Sequence, residues 1–315
     1  MKVGLIDVDG HNYPNLSLMK ISAHHKASGD DVEWYWGFGE YDRVYMSKVF
    51  STTYSADALE PVNAGEIIKG GSGYAITTER GVECYDKEKD PDLPPCVARM
   101  MPDYSIYPDL TNECAYGRLT VGCPKKCAWC HVGKMQGEQT RQIAEIGEFW
   151  NGQKTIELLD PNILAAPNRE DLLFELAKTK AAINFNQGLD VQRCDEEILS
   201  LLNKAKIKTY HFAWDDPTMD LADQFAFVGD RLRIKSRAKR MVYVLTNFGA
   251  STLENALERI YILRSLNFDP YVMIYDKPNA PPELRDLQRW CNNKFIFGAE
   301  PDFDKYNAKE RGNET

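Results

Sequence analysis

Thr120-Val-Gly-Cys-Pro-Lys-Lys-Cys-Ala-Trp-Cys-His131 is the stretch on which the reading of this chain turns. It sets Cys123, Cys127 and Cys130 in the spacing C-x3-C-x2-C. Thiolates are soft ligands, suited to iron–sulfur clusters and to zinc. A structural zinc or a fully ligated cluster takes four protein ligands, whereas a catalytic metal keeps a position open. Three local thiolates would leave one iron of a 4Fe–4S cluster open to a ligand from outside the protein. The same residues admit two other readings: a zinc loop completed by His131 or a distant cysteine, and unligated thiols.

Working outward, strand and helix signals alternate about six times on the C-terminal side of a proline-rich stretch. Arg118–Val121 reads as the strand that enters the cysteine loop, and 140–150 as a helix, with Ile143, Ile146, Phe149 and Trp150 on one side. Strands are predicted at 155–159, 182–185, 209–213, 241–245 and 271–275. Helices are predicted at 169–180, 195–205, 220–235, 253–265 and 282–291. In β/α barrels the site lies at the carboxyl ends of the strands. Those ends carry Asp160 and Asn162, then Asn186, Gln187 and Asp190, then Asp215 and Asp216, then Thr246 and Asn247, and finally Asp276. Polar loops and turn-forming Asp and Asn account for part of this pattern, and Asp215-Asp216-Pro217 suits a helix cap as well as a ligand.

On the N-terminal side, 2–8, 31–36, 44–50 and 66–68 read as strands, and 15–28 reads as a helix through Leu16, Met19, Ala23 and Ala27. This alternation predicts a parallel, flavodoxin-like sheet. Pro91, Pro94, Pro95, Pro102 and Pro108 mark the stretch between the halves as a linker. The predicted class is therefore α/β. A flavodoxin-type domain (1–85), a linker (86–114), a partial (β/α)6 TIM-type barrel (115–297) and a polar tail (298–315) follow in order.

The aromatic residue before the last cysteine, Trp129, completes a pattern C-x3-C-x-aromatic-C after an apolar strand. That pattern resembles the signature of the radical S-adenosylmethionine (radical SAM) superfamily, and six β/α units are similar to its partial barrel. The resemblance spans roughly residues 115–297 and is specific at the cysteine loop. It implies a 4Fe–4S cluster on Cys123, Cys127 and Cys130, with the open iron binding the amino and carboxylate groups of S-adenosylmethionine. One electron then cleaves the sulfonium to a 5′-deoxyadenosyl radical, and Trp129 lies beside the adenine. Asp160 and Asn162 stand where family members bind the ammonium. Asn186, Gln187 and Asp190 are candidates for the ribose and carboxylate side, and Asp215, Thr246 and Asn247 complete the candidate set. A one-electron donor of the flavodoxin or ferredoxin type is the implied partner, and a cluster enzyme of this kind implies a reducing cytoplasm. The substrate and the step after hydrogen abstraction (methyl transfer among them) stay open. So do a cluster-binding or redox protein that does not cleave S-adenosylmethionine, and a structural zinc protein.

A second resemblance lies in the N-terminal half. Asp9-Gly-His11-Asn-Tyr-Pro14, Ser47-Lys-Val49 and Gly70-Gly71 are similar to the cobalamin-binding pattern D-x-H-x-x-G, S-x-L, G-G, with Pro14 in place of Gly and Val49 in place of Leu. The resemblance implies His11 as the lower ligand of cobalt, Asp9 orienting it, and the glycines making room for the nucleotide tail. The same residues also read as a loop cap and a helix start. That structural reading outweighs cobalamin.

Composition narrows the classes. The chain has 315 residues, 43% hydrophobic and 27% charged, with a formal net charge of −9. This is ordinary for a globular protein and exerts no global pull on nucleic acid. No apolar run reaches the ~18 residues of a membrane span, and no signal-peptide pattern is expected. There are eight cysteines, and the five outside the loop are scattered, which fits a reducing compartment better than a disulfide framework. Cys84, Cys96 and Cys114 admit a second cluster but read better as free thiols. The basic run from Arg231 to Arg240 reads as a solvated helix end, and Trp34-Tyr-Trp36-Gly-Phe38 as a strand. No phosphate loop, G-x-S-x-G elbow or H-E-x-x-H pair is present.

Overall fold

The computed structural model describes residues 1–10, 12–79 and 82–306. Its chain is α/β with two parallel sheets. The first comprises β1 (Lys2–Asp7), β2 (Asp31–Trp34), β3 (Tyr41–Ser47) and β4 (Ala64–Gly70) in the order β2-β1-β3-β4. A hairpin of β5 (Ile76–Glu79) and β6 (Val82–Tyr85) follows. Next come β7 (Cys114–Gly117), the short antiparallel pair β8 (Thr120–Val121) and β9 (Arg141–Gln142), and then β10 (Thr155–Leu158). The last strands are β11 (Ala182–Phe185), β12 (Lys206–Ala213), β13 (Arg240–Thr246) and β14 (Asp269–Ile274). The second parallel sheet has the order β14-β13-β12-β11-β10-β7.

Period-two alternation gives β1 two apolar faces. Val3 and Leu5 pack with Leu18 and Ile21 of the helix Leu16–Ala27, whereas Ile6 joins Tyr41, Val44 and Met46 on the other side. Each fully buried aliphatic side chain here contributes about 1.5–3 kcal/mol. Asn15 caps the helix by accepting from the Leu18 amide, and His24, His25 and Lys26 occupy its last turn, where cations favour the dipole. His25 is held between Asp30 (2.6 Å) and the Tyr45 hydroxyl (3.0 Å). The crossovers 35–40 and 48–63 contain no helix. The first sheet thus has one helix between its strands, where a flavodoxin-like alternation supplies one at each crossover.

Three sequence expectations are corrected. First, the segment 86–114, read as a linker, packs into the first core. Pro95 and Pro108 open short helices, Pro95–Ala98 and Pro108–Thr111, at the first helical position, where a missing N–H costs nothing. Leu93, Val97 and Ile106 close the apolar core over β1, and the Tyr107 hydroxyl donates to Asp7 at 2.6 Å. Second, the strand expected at 118–121 is only β8 (Thr120–Val121), which pairs with β9, and the strand that joins the large sheet is β7, four residues before the expected start. Third, 140–150 is not a helix. The Ile143 amide donates to the Leu119 carbonyl, and only Ile146–Glu148 makes a 3-10 turn, under a capping box from Glu145. The apolar spacing suits a helix, but β8 takes the backbone bonds.

The compact units do not divide at the proline-rich stretch. One comprises Met1–Pro167 with Thr179–Ala182, and the other Asn168–Lys178 with the chain from Ile183 on. In the second unit Phe212, Phe225 and Phe268 meet with ring centroids 5.2–6.2 Å apart. Its helices Arg169–Lys178, Glu196–Lys204, Ala222–Arg231, Leu253–Ser265 and Pro282–Asn292 fall where predicted, with ends shifted by a few residues. The first residues of the polar tail pack against the helix Pro282–Asn292. The Trp290 indole N–H donates to the Glu300 carbonyl at 2.9 Å, and Phe303 meets the Trp290 ring at 5.4 Å.

Candidate functional site

The cysteine loop is rooted by one buried carboxylate. Asp160, 4% exposed, follows β10 and accepts from the Leu119 amide (3.1 and 3.2 Å), the Thr120 amide (2.5 Å) and the Thr120 hydroxyl (2.7 Å). Burial pushes this carboxyl up to about 6, against the pull of those bonds and of the Arg118 charge. Arg118 is itself lowered by burial, with Asp160 opposing. Asp160 is therefore spent on holding β8. This structural role stands beside the ligand-binding one expected of it.

Past β8 the chain turns at Gly122, whose φ of +84° belongs to the left-handed region that glycine tolerates. A Cβ there would collide with the Gln139 carbonyl. The far limb of the loop is tied to the same point: the Cys123 amide donates to Gly137 O at 3.1 Å and the Thr140 hydroxyl to Gly122 O at 3.0 Å. Between these ties Cys123 and Cys127 are half-buried and Cys130 is exposed, as are Pro124, Lys125, Lys126 and Ala128. Trp129 is half-buried.

Asn162 turns its side chain to this loop, with Nδ2 donating to Cys123 Sγ at 3.5 Å. At the other end, His131 Nε2 lies 3.5 Å from Glu83 Oε2, and its ring stacks on Tyr85 of β6. His131 thus lies against the hairpin. Among the described residues no three His, Cys, Asp or Glu side chains converge closely enough to hold a metal ion. The donor set fits a soft metal cluster in its chemistry and in its place on one short, doubly tied loop. Of the other cysteines, burial pushes Cys291 up to about 12 and raises Cys194 further, which keeps both as inert thiols. Cys84 and Cys96 are exposed, and Cys114 lies on β7.

In the second unit most of the expected ligands carry structural bonds. Asn186 accepts from Asn184 at 2.7 Å, and Gln187 is exposed. Asp190 caps the turn Val191–Arg193 and pairs with Arg193 at 3.4 Å. Asp215 accepts the Leu245 amide at 3.1 Å, and Asp216 accepts from Thr218 in a turn. Thr246, fully buried, donates to Met273 O at 3.1 Å, and Asn247 donates to Tyr275 O at 2.7 Å. A residue that sequence reasoning missed, Arg259, is 3% exposed and bonds the carbonyls of Trp214 (2.6 Å), Asp215 (3.1 Å) and Leu245 (3.2 Å). It ties the ends of β12 and β13 together. In the basic run, Arg231 ends a helix and pairs with Glu196 at 3.2 Å, as a solvated helix end does. Arg240 is instead buried, with three backbone carbonyls as acceptors.

The cobalamin-like residues are tested by what fills their space. Ser47 is buried and exchanges hydrogen bonds with Asn15, at 2.9 and 3.2 Å. Asp9 accepts the Val49 and Phe50 amides at 2.5 and 3.4 Å. A Cβ on Gly71 would collide with the Lys48 carbonyl, and one on Gly73 with the Phe50 carbonyl and the Lys48 side chain. The room beside Gly71 and Gly73 is thus taken by the chain's own Lys48 and Phe50, while Gly70 meets nothing there. These residues do not fit a cobalamin cradle. His11 lies outside the described residues.

No protein-family model matches the chain, and no curated protein is similar to it at a significant level. No helix among the described residues is long and apolar enough to cross a membrane.

Proposed function

We propose that the chain is a radical SAM enzyme whose Cys123, Cys127 and Cys130 hold a 4Fe–4S cluster on the loop between β8 and β9. The observation that carries this reading is a loop of three soft ligands whose entry is fixed by a buried carboxylate. When bound, the cluster supplies the electron that cleaves the carbon–sulfur bond of S-adenosylmethionine. Asp160 holds the first turn of the loop, so that Cys123 is presented at a fixed point. Asn162 and the Gly137 carbonyl hold the start of the loop from two sides. Trp129 lies between Cys127 and Cys130 as a flat apolar surface suited to a purine ring. The strand–helix alternation from β10 to the helix Pro282–Asn292 supports a partial (β/α)6 barrel, and the parallel first sheet supports a degenerate flavodoxin-type domain without cobalamin. A reducing cytoplasm and a small one-electron donor follow from this chemistry.

The test is anaerobic reconstitution with iron and sulfide, followed by dithionite and S-adenosylmethionine. Formation of 5′-deoxyadenosine, abolished when any one of the three cysteines is changed to alanine, is the expected result. An intact cluster without that product would make the chain a cluster-binding or redox protein. Bound zinc without sulfide would make it a structural zinc protein.

A further inference from the structure

Asn162 stands at the cap position of the 3-10 turn Ile163–Ala165, yet its side chain makes no capping bond there. Asn at a helix cap ordinarily accepts from an amide one turn on. Here the amide group is 4% exposed and its Nδ2 is directed at Cys123 Sγ, 3.5 Å away. The route to that position is short and stiff. Asp160 is fixed by the loop's own amides, and Pro161 locks the next φ, so Asn162 is delivered by the same turn that roots the loop. One turn after β10 thus sets the loop's entry with a carboxylate and addresses its first sulfur with a neutral donor.

We infer that Asn162 is a positioning residue that sets the electronic state of Cys123, rather than a ligand of S-adenosylmethionine. This rests on the cluster reading above. An N–H donated to a ligating thiolate withdraws charge from the sulfur, favours the reduced and more negative cluster, and so raises its reduction potential. The same N–H stabilises the sulfur–metal bond when any soft metal binds there. Asn supplies this donor without a charge that would attract water or compete for iron.

Two variants and two readouts test the assignment. Asn162→Ala removes the donor. Asn162→Asp keeps the shape and replaces the donor by an acceptor. In the reconstituted protein, the midpoint potential followed by electron paramagnetic resonance is expected to move to more negative values in Asn162→Ala, and further in Asn162→Asp. In the apoprotein titrated with cobalt(II), the thiolate-to-cobalt charge-transfer band is expected to appear at about tenfold or more higher metal concentration in both variants than in the wild type. Unchanged thermal unfolding of the isosteric variant keeps a folding defect from imitating the result. If wild type and both variants share one potential and one cobalt affinity, the assignment is wrong while the cluster reading stands. If the wild type forms neither a cluster nor a cobalt–thiolate band, the cluster reading fails and takes the assignment with it.

Discussion

Replacing Asp160 probes the root of the loop most sharply, because the carboxylate is buried and fully engaged. Asp160→Ala leaves the Leu119 amide, the Thr120 amide and the Thr120 hydroxyl without their acceptor. Three stranded donors cost about 2 kcal/mol each, or about 6 kcal/mol. Against this stands the relief of a buried charge. The carboxyl rises from 3.8 to about 6, about 2 units, worth about 3 kcal/mol at neutral pH. The net expectation is a loss of about 3 kcal/mol. Asp160→Asn keeps an acceptor and sheds the charge, so it should lie within about 1 kcal/mol of the wild type at pH 7. The pH dependence carries a definite sign. The folded-state value lies above the unfolded one, so the stabilising contribution is whole below about 4 and is lost as pH rises through about 6. Urea unfolding followed by circular dichroism, for the three proteins across this range, is the assay. Stability of the wild type relative to Asp160→Asn should fall by about 3 kcal/mol from acid to neutral pH. A difference that does not vary with pH, or an alanine variant as stable as the wild type, would refute the reasoning.

Lys48, Gly71 and Arg259 carry three further expected outcomes. Lys48 is fully buried, its ammonium has no hydrogen-bond partner among the described residues, and it lies 5.7 Å from the centre of the Tyr74 ring. Lys48→Met should therefore stabilise the protein by about 1–3 kcal/mol, seen as a higher midpoint in urea, and a lower midpoint would show that the ammonium is compensated. Gly71→Ala should cost about 2–4 kcal/mol, because φ there is +101° and the Lys48 carbonyl occupies the Cβ position. Equal stability would mean that the turn is not formed as described. Arg259→Met should cost about 2–4 kcal/mol by stranding the carbonyls of Trp214, Asp215 and Leu245, with hydrogen exchange speeding up at the ends of β12 and β13. Protection unchanged at those ends would remove its role as a brace.

The α/β class and the second-unit helices were legible because their signals are local. Strands such as Ala182–Phe185 and helices such as Leu253–Ser265 carry their own periodicity and caps. Segments whose backbone bonds are claimed from a distance were not legible. The apolar spacing of 143–150 satisfies a helix, but the Leu119 carbonyl takes the Ile143 amide and β8 takes Arg141–Gln142. The prolines of 86–114 were read as breakers, whereas Pro95 and Pro108 start helices whose apolar neighbours close the first core. At the candidate site, the sequence named the three cysteines, Asp160 and Asn162, but not that the carboxylate accepts the Leu119 and Thr120 amides while the amide faces Cys123 Sγ. A short carboxylate two residues from an amide says nothing about which will meet a backbone N–H and which a sulfur. The cobalamin-like pattern left two readings open for a similar reason, because a glycine that admits a ligand and one that admits a lysine look the same in a sequence. Arg259 gave no signal beyond a charge on a helix, since its acceptors are carbonyls at the ends of two other strands.

The central claim is that this loop holds an iron–sulfur cluster with one corner left to S-adenosylmethionine. Mössbauer spectra of the chain reconstituted anaerobically with iron-57, recorded with and without S-adenosylmethionine, address it directly. The account predicts a 4Fe–4S cluster in which a single iron changes its isomer shift when S-adenosylmethionine is added, and no cluster at all once Cys127 is replaced. A cluster with all its irons indifferent to S-adenosylmethionine, or one that survives the loss of Cys127, would contradict it.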